Sequence, residues 1–308
     1  MTKTALLFPG QGSQSVGMLS DLAQQYTRIK ATFNEASDEL GYDLWAITQE
    51  GPEQRLNDTR ITQPALLTAS VALYRLAVEQ GLDSVTAMAG HSLGEYSALV
   101  CAGSLDFNTA VRLVALRGEA MQNAVAPGIG AMAAVIGLED DTIADICRQQ
   151  ANGEVVTPVN YNSPGQVVIA GHSDAVARAA IALKEAGAKR VLPLPVSVPS
   201  HCALMRPAAE QLRTALAEVS FKKPEVKVIN NVDVASNDTP EDIKDALVRQ
   251  LYCPVRWTET IEALAQSGIE NAYEVGPGKV LTGLNKRITK AFNCSALNSS
   301  DAFTDVTS

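Results

Sequence analysis

The chain has 308 residues, 46% of them hydrophobic and 19% charged, with a formal net charge of −9. This length holds one large domain or two smaller ones around a real apolar core, so size excludes no enzyme class. The acidic balance disfavours a general affinity for nucleic acid, and any anionic partner must meet a local basic patch.

A first strand over residues 4–8 runs into Pro9-Gly10-Gln11-Gly12-Ser13-Gln14, a glycine-rich loop. A dinucleotide fingerprint would need a third small residue, glycine or alanine, at position 15, where Ser15 stands. A loop whose N–H groups supply part of an oxyanion hole is the competing reading, and a plain strand-to-helix turn is the third. Leu19, Leu22, Ala23, Tyr26, Ile29, Phe33, Ala36 and Leu40 recur at three- and four-residue spacing, which predicts one long amphipathic helix or a broken pair. Thr62-Gln63-Pro64 reads as the start of another helix with proline near its first turn. Gln63 either reaches a site or is solvated.

Next comes an apolar run over 85–89, then Gly90-His91-Ser92-Leu93-Gly94, then a helical pattern over 95–102. Gly-x-Ser-x-Gly between a strand and a helix is the nucleophile-elbow arrangement. A sharp turn lifts the serine hydroxyl clear of the sheet, and the flanking glycines remove Cβ atoms that would collide. The serine also stands at a helix N-terminus, where free N–H groups stabilise a developing oxyanion. A helix-capping serine in an ordinary turn would give the same five letters.

Residues 106–124 predict a helix whose apolar arc contains Phe107, Ala110, Val111, Val114 and Met121. At 100° per residue Arg117 falls inside that arc, whereas Arg112 and Glu119 fall opposite. A buried guanidinium keeps its proton and needs an anion, either an internal carboxylate or a carboxylate on a substrate.

Strand over 131–136, helix over 140–149, a hairpin of 155–161 and 166–170 around Asn162-Ser163-Pro164-Gly165, helix over 173–186 and strand over 190–194 follow. This β-α-β-β-α-β order predicts a ferredoxin-like unit inserted into a larger domain. The chain leaves the unit through Val198-Pro199-Ser200-His201 and a helix over 203–219.

There are three histidines. His91 adjoins Ser92 in the turn and points away from it; His172 starts a helix, in a capping or surface role. His201, in an irregular segment before a helix, is the best general base for Ser92.

Further strands are predicted at 226–229, 255–257 and 272–275, and helices at 242–250, 259–266 and 280–290, which implies a mainly parallel sheet. Gly276-Pro277-Gly278-Lys279 lacks phosphate-loop spacing, and the polar tail from Asn298 is expected to fray. Cys101, Cys147, Cys202, Cys253 and Cys294 are scattered and contain no C-x-x-C pair. Neither disulfides nor a zinc site is expected, and a reducing cytoplasm fits. No apolar run is read as long enough to span a bilayer, and no signal peptide is read at the start.

Taken together, Pro9-Gly10-Gln11-Gly12-Ser13-Gln14, Thr62-Gln63-Pro64-Ala65-Leu66, Gly90-His91-Ser92-Leu93-Gly94, Arg117, Asn162-Ser163-Pro164-Gly165 and Pro199-Ser200-His201 make the chain resemble, over nearly its whole length, the bacterial malonyl-CoA:acyl carrier protein transacylases of fatty acid synthesis. The resemblance implies an α/β-hydrolase-like large domain (1–126 and 198–308) and an inserted ferredoxin-like subdomain (127–197). It implies Ser92 as the acylated nucleophile, His201 as its base, Arg117 as the clamp on the malonate carboxylate, with Gln63 beside the substrate, and the Gln11 and Leu93 amides as the oxyanion hole. A main-chain carbonyl at about Gln250 would orient His201. The implied chemistry is ping-pong and needs no metal or cofactor: malonyl-CoA enters, CoA leaves, and the phosphopantetheine thiol of acyl carrier protein takes the malonyl group.

The partners implied are malonyl-CoA and acyl carrier protein, with no nucleic acid and no membrane, for a cytoplasmic monomer. The carrier protein is acidic in this family, so Lys189-Arg190 and Lys286-Arg287 are the expected docking clusters. A serine esterase using the same elbow and a non-catalytic binding module are the rival classes.

Overall fold

A computed structural model describes residues 2–196 and 198–304. Ser197, at the expected edge of the inserted unit, lies outside the described residues, as do Met1 and 305–308.

Strand β1 (Thr4–Phe8) is buried at every position, as a strand covered on both faces must be. The amphipathic stretch that follows is a broken pair, α1 (Ser20–Gln25) and α2 (Thr27–Leu40), separated by Tyr26 in an extended conformation. After α3 (Leu44–Glu50) and α4 (Glu53–Leu56), helix α5 (Thr59–Glu79) begins earlier than Thr62, because the Asp58 carboxylate accepts from the Arg60 amide and caps it. Pro64 therefore sits inside the helix and not in its first turn. By length and composition α5 could cross a membrane, contrary to the sequence reading; 78% of its most apolar stretch is buried within the protein, which makes it a core helix.

Then come β2 (Ala87–Gly90), α6 (Gly94–Cys101) and α7 (Phe107–Asn123), the last capped by Asp106 through the Thr109 amide. The next six elements are β3 (Gly130–Ile136), α8 (Asp140–Gln150), β4 (Val156–Ser163), β5 (Gln166–His172), α9 (Ser173–Glu185) and β6 (Arg190–Pro193). They form an antiparallel sheet of order β4-β5-β3-β6, which is the ferredoxin-like arrangement. Helices α8 and α9 cover one face through Ile143, Val176 and Leu183, while Met132, Val168 and Ala170 on the other face pack with Cys202.

A single 3₁₀ turn at Ala203–Met205 precedes α10 (Arg206–Ala217). The chain ends with β7 (Lys227–Ile229), α11 (Pro240–Gln250), α12 (Trp257–Gln266), β8 (Asn271–Glu274), α13 (Val280–Ile288), β9 (Asn293–Ala296) and α14 (Ser300–Thr304). The first sheet has the order β7-β2-β1-β8-β9 with parallel pairing throughout, so strands from both sides of the antiparallel sheet share it. The α/β architecture with a parallel main sheet and a small ferredoxin-like sheet is thus as expected.

Two further local expectations fail. Residues 255–257 add no strand to the main sheet: Val255 makes one parallel bridge to Asn160 of β4, and fully buried Trp257 already opens α12. The tail does not fray from Asn298, because α14 buries Phe303 with its ring 6.4 Å from that of Tyr26.

Candidate active site

The elbow is built by backbone crowding. Ser92 has φ 53°, a left-handed conformation that costs an L-residue about 1–2 kcal/mol, and the structure around it leaves little alternative. A Cβ on Gly90 would overlap the Gly94 carbonyl, and one on Gly94 would overlap the Phe8 carbonyl oxygen. The Ser92 amide donates to Asn231 Oδ1 (2.7 Å), and Asn231 Nδ2 donates to the Gly90 carbonyl (2.6 Å). Asn231, fully buried just after β7, therefore braces the turn from the neighbouring strand.

Ser92 Oγ stands 2.8 Å from His201 Nε2, and His201 Nδ1 donates to the Gln250 carbonyl at 2.7 Å. That second bond fixes the tautomer: Nδ1 carries the proton, and Nε2 is free to accept the serine proton. His201 is itself held at φ 64°, with its amide on the Leu251 carbonyl (3.0 Å). Burial, and then the nearby Arg117 charge, push its pKa down to about 3, so it is an unprotonated base at neutral pH.

Arg117 projects from α7 and is 1% exposed, as the helical wheel anticipates. Its Nη1 donates to Gln63 Oε1 (2.8 Å) and its Nη2 to Gln250 Oε1 (2.9 Å), while Nε has no partner. Its guanidinium lies 5.4 Å from the centre of the Tyr96 ring. Among the described residues it forms no ion pair, so both hydrogen-bond acceptors are neutral amides and the cation is held without a directly bonded anion. Burial lowers its pKa, yet a guanidinium stays protonated.

A cavity of about 100 Å³ is lined by Gln11, Gln63, Ser92, Leu93, Arg117 and His201, with Met121, Met132, Leu194 and Val198 as its apolar wall. It is far smaller than the roughly 300–1,000 Å³ of ordinary ligand pockets, so it takes a short acyl group and not a whole coenzyme. The Gln11 and Leu93 amides, both at the cavity, donate to no acceptor among the described residues, whereas the Ser92 amide is already taken by Asn231. No group of three His, Cys, Asp or Glu side chains among the described residues could hold a metal.

The other histidines are engaged elsewhere. His91 Nε2 donates to Asn162 Oδ1 (2.8 Å) and its ring lies 5.5 Å from that of Trp257, which ties the elbow to the small sheet. His172 occupies the N-cap position of α9 but makes no side-chain cap; its Nδ1 accepts from the Val155 amide (2.9 Å).

Residues 5–299 match the acyl transferase domain family. The chain belongs to that family. Among the acyl transferases it is similar to the malonyl CoA-acyl carrier protein transacylase of Escherichia coli, 63% identical over 98% of each chain. It also resembles the crystal structure of an acyl carrier protein S-malonyltransferase from Vibrio cholerae (61% identity, TM-score 0.96, covering 99% and 100% of the two chains). A third similar protein is a malonyl-transacylase seen in complex with its holo type II PKS acyl-carrier protein (56% identity, TM-score 0.98, 99% of each chain).

Two residues of this candidate site escape the sequence reading. Glu95 follows Ser92 by one helical turn and is 2% exposed, with Oε2 accepting from the Asn231 amide (2.9 Å) and from Gln250 Nε2 (2.8 Å). Burial pushes its pKa up to about 7 against those hydrogen bonds. In sequence it looks like an ordinary acidic residue in a first helical turn, and Asn231 like half of an Asn-Asn turn.

Proposed function

We propose that this chain moves the malonyl group of malonyl-CoA to the phosphopantetheine thiol of acyl carrier protein through an ester on Ser92. The observation that carries this reading is a buried arginine with only neutral partners, facing the same small cavity as a serine–histidine pair. A carboxylate on the acyl group would supply the missing anion, in a cavity of about 100 Å³ that Ser92 and Arg117 both line.

In the first half-reaction His201 Nε2 takes the Ser92 proton as Oγ attacks the thioester carbonyl. The tetrahedral oxyanion faces the Gln11 and Leu93 amides. Collapse breaks the C–S bond, and the His201 proton goes to the departing CoA sulfur. In the second half-reaction the carrier thiol gives its proton to His201, attacks the malonyl ester and expels Ser92 Oγ, which recovers the proton. The Gln250 carbonyl holds the imidazole in register but adds no full negative charge.

The five free cysteines suit a reducing compartment, and a cytoplasmic enzyme is part of this reading. For docking, the two basic pairs act as one surface. Arg287 Nη1 donates to Gln166 Oε1 (2.6 Å), Gln166 pairs with Ile136, and Ile136 pairs with Arg190, so both pairs border one end of the small sheet. Met132 of the cavity lies four residues along β3 from Ile136, about 13 Å at strand rise.

The test is intact-protein mass spectrometry after mixing with malonyl-CoA, then with holo acyl carrier protein. A malonyl adduct on the Ser92 peptide that disappears only when carrier is added is expected, and Ser92→Ala should stay folded and carry no adduct. An adduct lost to water at the same rate without carrier would identify a hydrolase instead.

A further inference from the structure

Three groups of the site converge on the Gln250 side chain. Its Oε1 accepts from Arg117 Nη2, and its Nε2 donates both to the Ser92 carbonyl (3.0 Å) and to Glu95 Oε2. Its main-chain carbonyl meanwhile orients His201. An amide is nearly symmetric in shape, so its sense and exact seat come from its neighbours. Reversed, it would present NH2 to a guanidinium that also only donates, and oxygen to two acceptors.

We propose that Glu95 is a positioning residue that, through its acceptor oxygen, seats the Gln250 amide so that a neutral oxygen meets Arg117 and the guanidinium charge stays directed to the acyl group's carboxylate. The inference rests on the reading of Arg117 as the malonate clamp. It assigns Glu95 to acyl selection through Gln250 and not to neutralising Arg117. The geometry separates these roles, since no direct Glu95–Arg117 ion pair exists among the described residues and Oε2 is shared by two N–H donors. An oxygen in the place of Oε2 can accept from both donors in a carboxylate, in an acid protonated on Oε1, or in an amide, most strongly in the carboxylate. Beside Glu95 lies a pocket of about 10 Å³ lined by Asn230 and Asn237 together with Leu99, Val228, Ile243 and Ala246.

The decisive pair is Glu95→Gln and Glu95→Asp. Glutamine keeps the acceptor in place and removes the charge; aspartate keeps the charge and withdraws the acceptor by one methylene. Steady-state kcat/KM for malonyl-CoA and acetyl-CoA gives the malonyl-over-acetyl ratio in each protein. Glu95→Gln should hold that ratio within a few-fold, and Glu95→Asp should lower it about tenfold, the scale of one misplaced buried hydrogen bond. The Glu95→Asp effect should also vanish in a Gln250→Leu background, because Gln250 is the intermediary.

The reverse order, with the ratio kept by aspartate and lost in glutamine, would make Glu95 a counter-ion and overturn the proposal. Equal falls for both thioesters would reduce it to fold support, which also overturns it. Arg117→Ala serves as the control. If the ratio survives Arg117→Ala, the clamp reading fails and takes this inference with it; if Arg117→Ala abolishes the ratio while neither Glu95 variant moves it, this inference alone fails.

Discussion

Arg117→Ala tests the central electrostatic argument. In the protein the guanidinium is 1% exposed and its hydrogen-bond partners, Gln63 and Gln250, are uncharged, so a bound malonyl carboxylate would be its only directly bonded anion. Two parallel charge-assisted hydrogen bonds contribute about 1.5–3 kcal/mol each, and dehydration of the carboxylate argues for the low end. A loss of about 3 kcal/mol corresponds to a fall in kcat/KM for malonyl-CoA on the order of a hundredfold. An acetyl group has no carboxylate to lose. In the native protein it leaves the buried cation unpaired, and Arg117→Ala removes that penalty, so acetyl transfer should hold or rise. The assay is transfer to acyl carrier protein from each thioester over a range of concentrations, with the melting temperature of both proteins recorded. Equal falls for malonyl and acetyl would refute the clamp and leave Arg117 as a residue that supports the fold.

Other outcomes follow from the same geometry. Because His201 is depressed to about 3, single-turnover acylation by malonyl-CoA should stay on its plateau as pH falls from about 7 to about 5; a rate that halves near the ordinary histidine value of about 6.5 would contradict it. Since the Arg117 charge is one cause of that depression, the acid limb of acetyl-CoA acylation should move to higher pH in Arg117→Ala. Asn231→Ala should cost about 1–3 kcal/mol in denaturant unfolding and slow acylation, because the Ser92 amide and the Gly90 carbonyl both lose their partner. Lys286→Glu with Arg287→Glu should slow transfer to the carrier protein while leaving the malonyl-Ser92 adduct to form normally, and equal slowing of both half-reactions would remove this face as the docking site.

What the sequence revealed was mostly what local rules govern. The elbow was legible because its glycines answer to steric crowding within five residues, and Arg117 because helical geometry places it on the buried arc without any knowledge of what lies opposite. The ferredoxin-like unit was legible because its strands and helices alternate at ordinary lengths. Residues whose meaning depends on another part of the chain were not. Glu95 reads as a dipole-complementing acid until α11 brings Gln250 against it, and Asn231 reads as a turn residue until β7 pairs with β2. Strand β9, with the sequence Asn293-Cys294-Ser295-Ala296, buries only its cysteine among exposed and half-buried neighbours and carries little strand propensity, so only its pairing with β8 defines it. The helix starts misplaced at 62 and 203 share a cause: proline at 64 and a 3₁₀ turn blurred the position of the first hydrogen-bonded residue.

The site also explains why so polar a centre is worth building into a core. A buried guanidinium facing neutral amides is poorly compensated, and an internal carboxylate bonded to it would relieve the desolvation. Such a carboxylate would also occupy the two N–H groups that a malonyl carboxylate needs and would repel the substrate from the cavity. The protein instead has a carboxylate, Glu95, one amide away, bonded to Gln250 and not to the guanidinium itself. On the clamp reading, the arrangement would trade some stability in the empty protein for discrimination in the loaded one. A malonyl carboxylate bound at Arg117 would then offset part of the field that, after burial, depresses His201. An acetyl group, bringing no charge, would leave the Arg117 field on His201 as it is in the empty site. On the clamp reading, Arg117 would thus bear on both selection and proton transfer.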